Sequence, residues 1–158
     1  MIRFTANPFR SKSLTAMLVA SLALGTLANL GSASAETKSS DPTILARQEL
    51  MDKIKNASGV LGGMASGKIA FDQTKAAEAA AALAADAAAI PAHFETEVQD
   101  TATEGKPEIW LNFADFTSKA DALYAAAQSV DSSSAEGLKT SMGPIGAACK
   151  ACHSAYRM

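Results

Sequence analysis

Residues 138–157 read LKTSMGPIGAACKACHSAYR, and the spacing of their apolar positions predicts a helix. One face of that helix carries a residue every three or four positions, namely Leu138, Met142, Ile145, Cys149, Cys152 and Tyr156. Ser133 and Glu136 predict a capping box at its start. Gly143-Pro144 predicts a kink or a restart, because proline removes one backbone hydrogen bond. Since both cysteines share a face with core residues, whatever they hold is expected to lie inside the fold.

Three further helices are predicted before this one, and β-branched runs that would indicate strands are missing. The first begins at Asp41-Pro42, an N-cap followed by proline, and Gly67 is its expected stop. Its apolar face is predicted to comprise Ile44, Arg47, Met51, Ile54, Ser58, Leu61 and Ala65. The second follows Asp72 as N-cap and runs to about Ile90. The sequence therefore predicts an all-α domain.

The third helix opens at Pro107-Glu108, after a polar loop over residues 91–106. It fades at residues 132–134 and carries most of the aromatic bulk of the core.

The second helix is unusually rich in alanine: eleven of the fourteen residues 76–89 are alanine. Alanine is the best helix former, and its small side chain lets a neighbouring backbone approach closely. The composition fits a tight contact, within the bundle or across a homodimer. It fits equally well a solvent-facing helix with no such contact.

The first 35 residues have the pattern of an export signal. Arg3, Arg10 and Lys12 precede an apolar run over residues 14–30, and Ala33-Ser34-Ala35 offers a cleavage site. A membrane anchor is the alternative, but no basic stop-transfer cluster follows the run. The sequence predicts a cleaved signal peptide, residues 1–35, and a mature domain, residues 36–158, in the periplasm with no membrane attachment.

The mature domain is mildly acidic, which excludes the usual nucleic-acid binding surface. It holds eleven basic and sixteen acidic side chains, a formal charge of −5, whereas a protein that binds phosphate backbones needs a basic surface.

The segment Cys149-Lys150-Ala151-Cys152-His153 has the C-x-x-C-H spacing of c-type haem attachment. Thiols three residues apart on a helix can both reach one porphyrin edge, and the adjacent imidazole can become an iron ligand. A thiol oxidoreductase would need a βαβ setting that this chain lacks. A zinc site would need four ligands, and His93 is the one further histidine. The motif predicts one covalent haem c per chain, bound by Cys149 and Cys152, with His153 as the metal ligand.

Met51 on the first helix is the candidate for the opposite face of the iron. Its sulfur could bind the metal, as in Met/His electron carriers, or its side chain could cover an open position of the iron. The third interpretation is that Met51 only fills the core elsewhere.

Arg47, one turn earlier, needs an anion if it is buried, and a haem propionate would serve. The alternatives are that Arg47 reaches solvent or forms an ion pair with Glu49 or Asp52. Gln48 could add a hydrogen bond. Arg157, one turn after His153, is expected either beside the proximal face or in solvent.

These residues together resemble the cytochrome c′ family. The resemblance rests on Arg47-Gln48-x-x-Met51, on Pro107-Glu108-Ile109-Trp110, and on the C-terminal run from Cys149 to Arg157. It covers essentially the whole mature chain. It implies an up-down-up-down antiparallel four-helix bundle with the haem near the last helix, a fold that general accounts of helix bundles already assign to this family.

The resemblance also implies roles for individual residues. Cys149 and Cys152 would carry the thioethers, His153 would be the proximal ligand, and Arg47, Gln48 and Glu104 would approach the haem. Met51 would cover a five-coordinate iron without binding it, and Arg157 would lie beside the proximal face.

The activity that the resemblance implies is binding of small gases, nitric oxide and carbon monoxide, together with electron transfer, and not enzymatic catalysis. Family members are frequently homodimers. Low-spin relatives with the same fold use a methionine of the first helix as sixth ligand, so an electron carrier with Met51 on the iron is the alternative. The redox partner protein is not identified by the sequence.

Overall fold

The computed structural model describes residues 38–158, and the predicted signal peptide, residues 1–35, lies outside them. Five helices follow one another: α1 (Pro42–Ala65), α2 (Gln73–His93), the single turn α3 (Glu108–Leu111), α4 (Phe113–Gln128) and α5 (Ala135–Tyr156). The four long helices pack in a ring, in which α1 contacts α2 and α5, and α4 contacts the same two. The chain is an up-down-up-down four-helix bundle, as predicted. No helix within residues 38–158 is both long and apolar enough to cross a membrane.

The first two helices begin, and the first also ends, as their local sequence signals predict. The Asp41 carboxylate accepts hydrogen bonds from the amides of Thr43 and Ile44, and the Asp72 carboxylate accepts one from Lys75. After α1, Gly67 adopts a left-handed conformation with φ of 74°, which glycine tolerates without steric cost.

Helix α2 continues three residues beyond the predicted end at Ile90, so that Pro91 lies inside its last turn. The final carbonyl groups of a helix lack partners within it, and the one on His93 accepts a hydrogen bond of 2.9 Å from Arg47 Nε. This contact from α1 stabilises the extra turn.

The predicted third helix is two elements. Residue Asn112, with φ of −130° and ψ of 44°, separates α3 from α4. No glycine or proline marks this break, which is why periodicity alone joined the two segments.

The predicted cap of α5 is displaced by one residue. Ser134, not Ser133, accepts the hydrogen bond from the Gly137 amide, because the amide and hydroxyl of Ser133 both bond Asp131. The helix then runs unbroken through Gly143 and Pro144, so the predicted restart is wrong. Both residues are exposed, and water can hydrate the carbonyl that proline leaves without a partner.

The core combines aliphatic side chains from α1, α2, α3 and α5 with a cluster of aromatic rings. Phe116 is its aromatic centre, with ring centroids 5.1 Å from Phe94, 6.0 Å from Phe113 and 5.4 Å from Tyr156. The largest fully buried side chains are Ile44, Leu61, Met64, Leu83, Ile109, Leu138 and Ile145.

The predicted face of α5 packs inward at Leu138, Ile145 and Tyr156. The predicted face of α1 is confirmed in part: four of its residues are buried, whereas Met51, Ser58 and Ala65 are half-buried and Leu50, Ala57 and Met64 are buried in addition. The aromatic rings lie beside the site described next.

Candidate functional site

A cavity of about 400 Å³ opens between α1, α4, α5 and the loop that joins α2 to α3. Met51 of α1 lines it, and so do Cys149, Cys152 and His153 of α5. Ile90, Phe94, Ile109, Phe116 and Leu123 contribute apolar surface. The structure thus brings the predicted thiols, imidazole and methionine to one largely apolar space.

The two cysteines lie one turn apart on α5, on the face that also buries Ile145 and Tyr156. Both are free thiols and partly buried, and burial raises the pKa of each above its usual value. Because both cysteines line the cavity, their thiols can reach a group that is bound inside it.

The environment of His153 favours its neutral imidazole. Burial lowers its pKa, the positive charge of Arg157 lowers it further, and the negative charge of Glu104 acts in the opposite direction. A neutral imidazole has one ring nitrogen with a lone pair, which is the form that binds a metal.

Arg47 is buried, with 4% of its surface exposed, and its guanidinium binds the end of α2 and the loop between α2 and α3. It donates to the backbone carbonyl groups of His93 (2.9 Å), Val98 (3.0 Å) and Thr96. The guanidinium also lies over the rings of Phe94 and Trp110, at 4.9 and 5.2 Å from their centroids. Burial lowers its pKa, and the carboxylate of Asp41 opposes that shift. The side chain also lines the cavity, and its contact with a haem propionate stays a prediction.

Gln48 fixes the same loop one residue further along α1. Its amide nitrogen donates to the carbonyl of Ala102 at 3.1 Å, and its amide oxygen accepts from the Ser39 amide at 3.0 Å. The Ser39 hydroxyl in turn donates to Asp100 at 2.5 Å. The side chains of Arg47 and Gln48 therefore fix the loop, which forms part of the cavity wall, to α1.

Glu104 and Arg157 form an ion pair at the cavity edge. Arg157 Nε donates to Glu104 Oε2 at 2.6 Å, and Arg157 Nη2 contacts the same oxygen. Two main-chain hydrogen bonds of 2.9 Å, from Lys106 to Tyr156 and from Met158 to Glu104, join the loop to the C-terminal residues beside this pair. Both side chains line the cavity next to His153.

Two contributions to the site were missed by sequence reasoning. The Tyr156 hydroxyl donates to Asp115 at 2.5 Å, which lowers the pKa of Asp115 and raises the pKa of Tyr156 to about 12. Trp110 Nε1 donates to the Phe94 carbonyl at 2.7 Å. The position of Phe94 in a polar stretch of sequence could have predicted that this part of the loop packs on the core, because large aromatic side chains are rarely left in water.

The family profile described as Cytochrome C′ matches residues 42–157 of this chain. The chain belongs to the cytochrome c′ family. Its sequence is 33% identical to cytochrome c-556 of Agrobacterium tumefaciens (strain II Chrys) over 115 residues, which cover 71% of this chain and 93% of the relative.

Two solved structures extend the likeness to the fold. Cytochrome c′ from Rubrivivax gelatinosus superposes with a TM-score of 0.65 at 29% identity, covering 73% of this chain and 94% of that one. A nitric oxide complex of a variant of cytochrome c prime from Alcaligenes xylosoxidans gives a TM-score of 0.65 at 25% identity, over 73% and 93% of the two chains.

Members of the cytochrome c′ family carry covalently attached haem c, and the residues of this chain fit that group. The cavity is largely apolar, two free thiols three residues apart lie on its wall, and the imidazole of His153, whose pKa is lowered by burial, follows them. Cys149, Cys152 and His153 are the residues that would hold it.

Proposed function

We propose that this cytochrome c′ family member is a periplasmic, five-coordinate c-type haem protein that binds nitric oxide and carbon monoxide and transfers electrons. The observation that carries the proposal is the cavity, which Met51 of α1 lines together with Cys149, Cys152 and His153 of α5. The nitric oxide complex of the Alcaligenes xylosoxidans relative supports nitric oxide as a ligand. When bound, the haem supplies an iron centre that accepts an electron or a small gas.

Each residue of the site would have its own role toward the haem. Cys149 and Cys152 would anchor the group to α5 by thioether bonds, and His153 would offer its imidazole nitrogen to the iron. Met51 would crowd the position that a gas ligand takes and would exclude bulky ligands without binding the metal. The apolar wall would limit the access of water, and Arg157 would contact a ligand that arrives beside His153.

The visible spectrum of the purified holoprotein tests this proposal directly. We expect broad, merged bands in the reduced protein that sharpen when carbon monoxide is added, because one iron position is open. Sharp, split bands that ignore carbon monoxide would contradict it and identify Met51 as a sixth ligand, making the protein a Met/His electron carrier. Loss of all haem absorbance from the denatured chain would instead contradict covalent attachment.

Substitution of Met51 tests its role on the distal side. Met51→Ala should raise the affinity for carbon monoxide, since removal of the side chain relieves crowding. Met142→Ala is the matched control, because Met142 packs toward Gly62 and does not line the cavity. Equal affinities in Met51→Ala and the unchanged protein would end the lid role, and a switch from low to high spin would assign Met51 to the iron.

The remaining parts of the proposal concern export and assembly. We propose that cleavage after Ala35 releases residues 36–158 and that two copies associate through α2. Exposed alanines at positions 77, 81, 85 and 88 form one stripe on that helix and support such a contact.

A further inference from the structure

We propose that Glu104 is a positioning residue for the proximal side of the site: its carboxylate fixes the Arg157 guanidinium next to His153 and offsets its positive charge there. The inference rests on the proposed function, since it assumes that His153 binds the haem iron. It assigns Glu104 a role through Arg157 rather than as a direct haem contact.

The geometry supports a fixed pair rather than a chance surface contact. Two nitrogens of the Arg157 guanidinium reach the same oxygen of Glu104, and main-chain hydrogen bonds hold the two segments antiparallel at Gly105 and Arg157. Lys106 Nζ also lies 3.5 Å from the Ala155 carbonyl. Because the backbones are joined on either side of the pair, the carboxylate and the guanidinium are held in register.

The magnitude of the interaction argues for a role other than stability. The two side chains are 41% and 49% exposed, and ion pairs with this exposure contribute little to the free energy of folding because water screens them. Their charges nonetheless lie beside His153 at the edge of an apolar cavity, where the electric field is less screened than in bulk water.

The reduction potential of the holoprotein reports this charge balance. Reduction adds one electron to the iron, so a nearby negative charge lowers the potential and a nearby positive charge raises it. Glu104→Gln should therefore raise the potential and Arg157→Gln should lower it. Glu104→Asp, which keeps the charge on a shorter side chain, should shift it less than Glu104→Gln. Each shift should shrink as the salt concentration rises.

Glu97→Gln is the matched control, since Glu97 is an exposed carboxylate of the same loop that does not line the cavity. A shift in Glu104→Gln no larger than in this control would overturn the inference. The double variant Glu104→Gln with Arg157→Gln adds a second criterion. If Glu104 acts through Arg157, Glu104→Gln should shift the reduction potential by a different amount when Arg157 is already replaced by glutamine. Strict additivity would mean that the two charges act separately, and Glu104 would then not be a positioning residue.

Amide hydrogen exchange at Lys106 and Met158 separates charge balance from a loosened C-terminus. We expect unchanged exchange in Glu104→Gln, because the main-chain bonds do not involve the carboxylate. Faster exchange together with a salt-independent potential shift would overturn the electrostatic account. If the unchanged protein contains no covalent haem, the proposed function fails; if it has a normal spectrum and Glu104→Gln has no effect, this inference alone fails.

Discussion

Arg47 anchors the loop between α2 and α3 from a distance of 46 to 51 residues in sequence. Its residue type and its place on the inner face of α1 predicted that a buried Arg47 would need an anion, such as a haem propionate. Arg47 is buried, its partners in the structure are three backbone carbonyl groups, and the propionate contact stays a prediction. Neither Glu49 nor Asp52 takes that role. Which loop atoms would face the guanidinium depends on long-range packing, and no local pattern encodes it.

Substitution of Arg47 tests its anchoring role. Arg47→Met keeps the apolar stem but leaves three carbonyl groups without their donor, and it should lower the free energy of unfolding by about 3 kcal/mol. The free energy of unfolding of Arg47→Lys should lie between those of the parent and of Arg47→Met, because one ammonium group cannot reach three divergent carbonyl groups as a guanidinium does.

Chemical denaturation of the holoproteins measures these differences. Lys53→Met, an exposed change on the same helix, is the control and should stay within about 0.5 kcal/mol of the parent. A similar small loss in Arg47→Met would show that water replaces the guanidinium without cost.

At the scale of helices, starts were more predictable than ends. Asp41 and Asp72 cap α1 and α2 as expected, because an N-cap is a local interaction between a side chain and nearby amides. The end of α2 was predicted three residues too early, since a contact from α1 stabilises its last turn. The choice between Ser133 and Ser134 as cap of α5 depended on Asp131, which occupies the first of the two serines.

The connection between α4 and α5 supplies a prediction at this scale. A Cβ atom on Gly137 would overlap with Asp131 Oδ2 and would lie 2.9 Å from the Asp131 carbonyl oxygen. Gly137→Ala should therefore displace the turn and cost about 1–3 kcal/mol of stability.

Gly59→Ala places the same methyl group where nothing lies within 4 Å, in the interior of α1. It should stabilise the protein by roughly 0.5–1 kcal/mol, because alanine is the better helix former. Thermal unfolding of the two variants should move the midpoint in opposite directions. A midpoint that stays constant in Gly137→Ala would show that the turn adapts freely.

Over the whole molecule, the sequence predicted the bundle and the position of the cavity more completely than its rim. Periodic apolar residues on each long helix decide which faces meet, and these faces enclose the space beside Cys149 and Cys152. The rim depends on the irregular loop, residues 94–107, whose hydrogen bonds to α1 and to the C-terminal residues follow no periodic pattern. The pairing of Glu104 with Arg157 belongs to that part.

Native mass spectrometry of the exported protein tests the assembly as a whole. The expected mass is that of two copies of residues 36–158, each with one covalent haem. Ala81→Glu, which places a charge in the exposed alanine stripe of α2, should leave single copies, whereas Ala122→Glu on the exposed side of α4 should not. A single copy in the unchanged protein would refute the dimer, and a mass that includes residues 1–35 would refute cleavage.

Trp110, in the single turn α3, is the one tryptophan in the sequence, and its contact with the loop lets its fluorescence report on that loop. The indole donates to the Phe94 carbonyl and lies against Arg47, one residue layer from the cavity. A haem so close should quench its fluorescence by energy transfer, and emission should brighten whenever the loop detaches or the bundle unfolds. The rate at which the loop detaches from the bundle can thus be measured in solution by tryptophan fluorescence, without any added label.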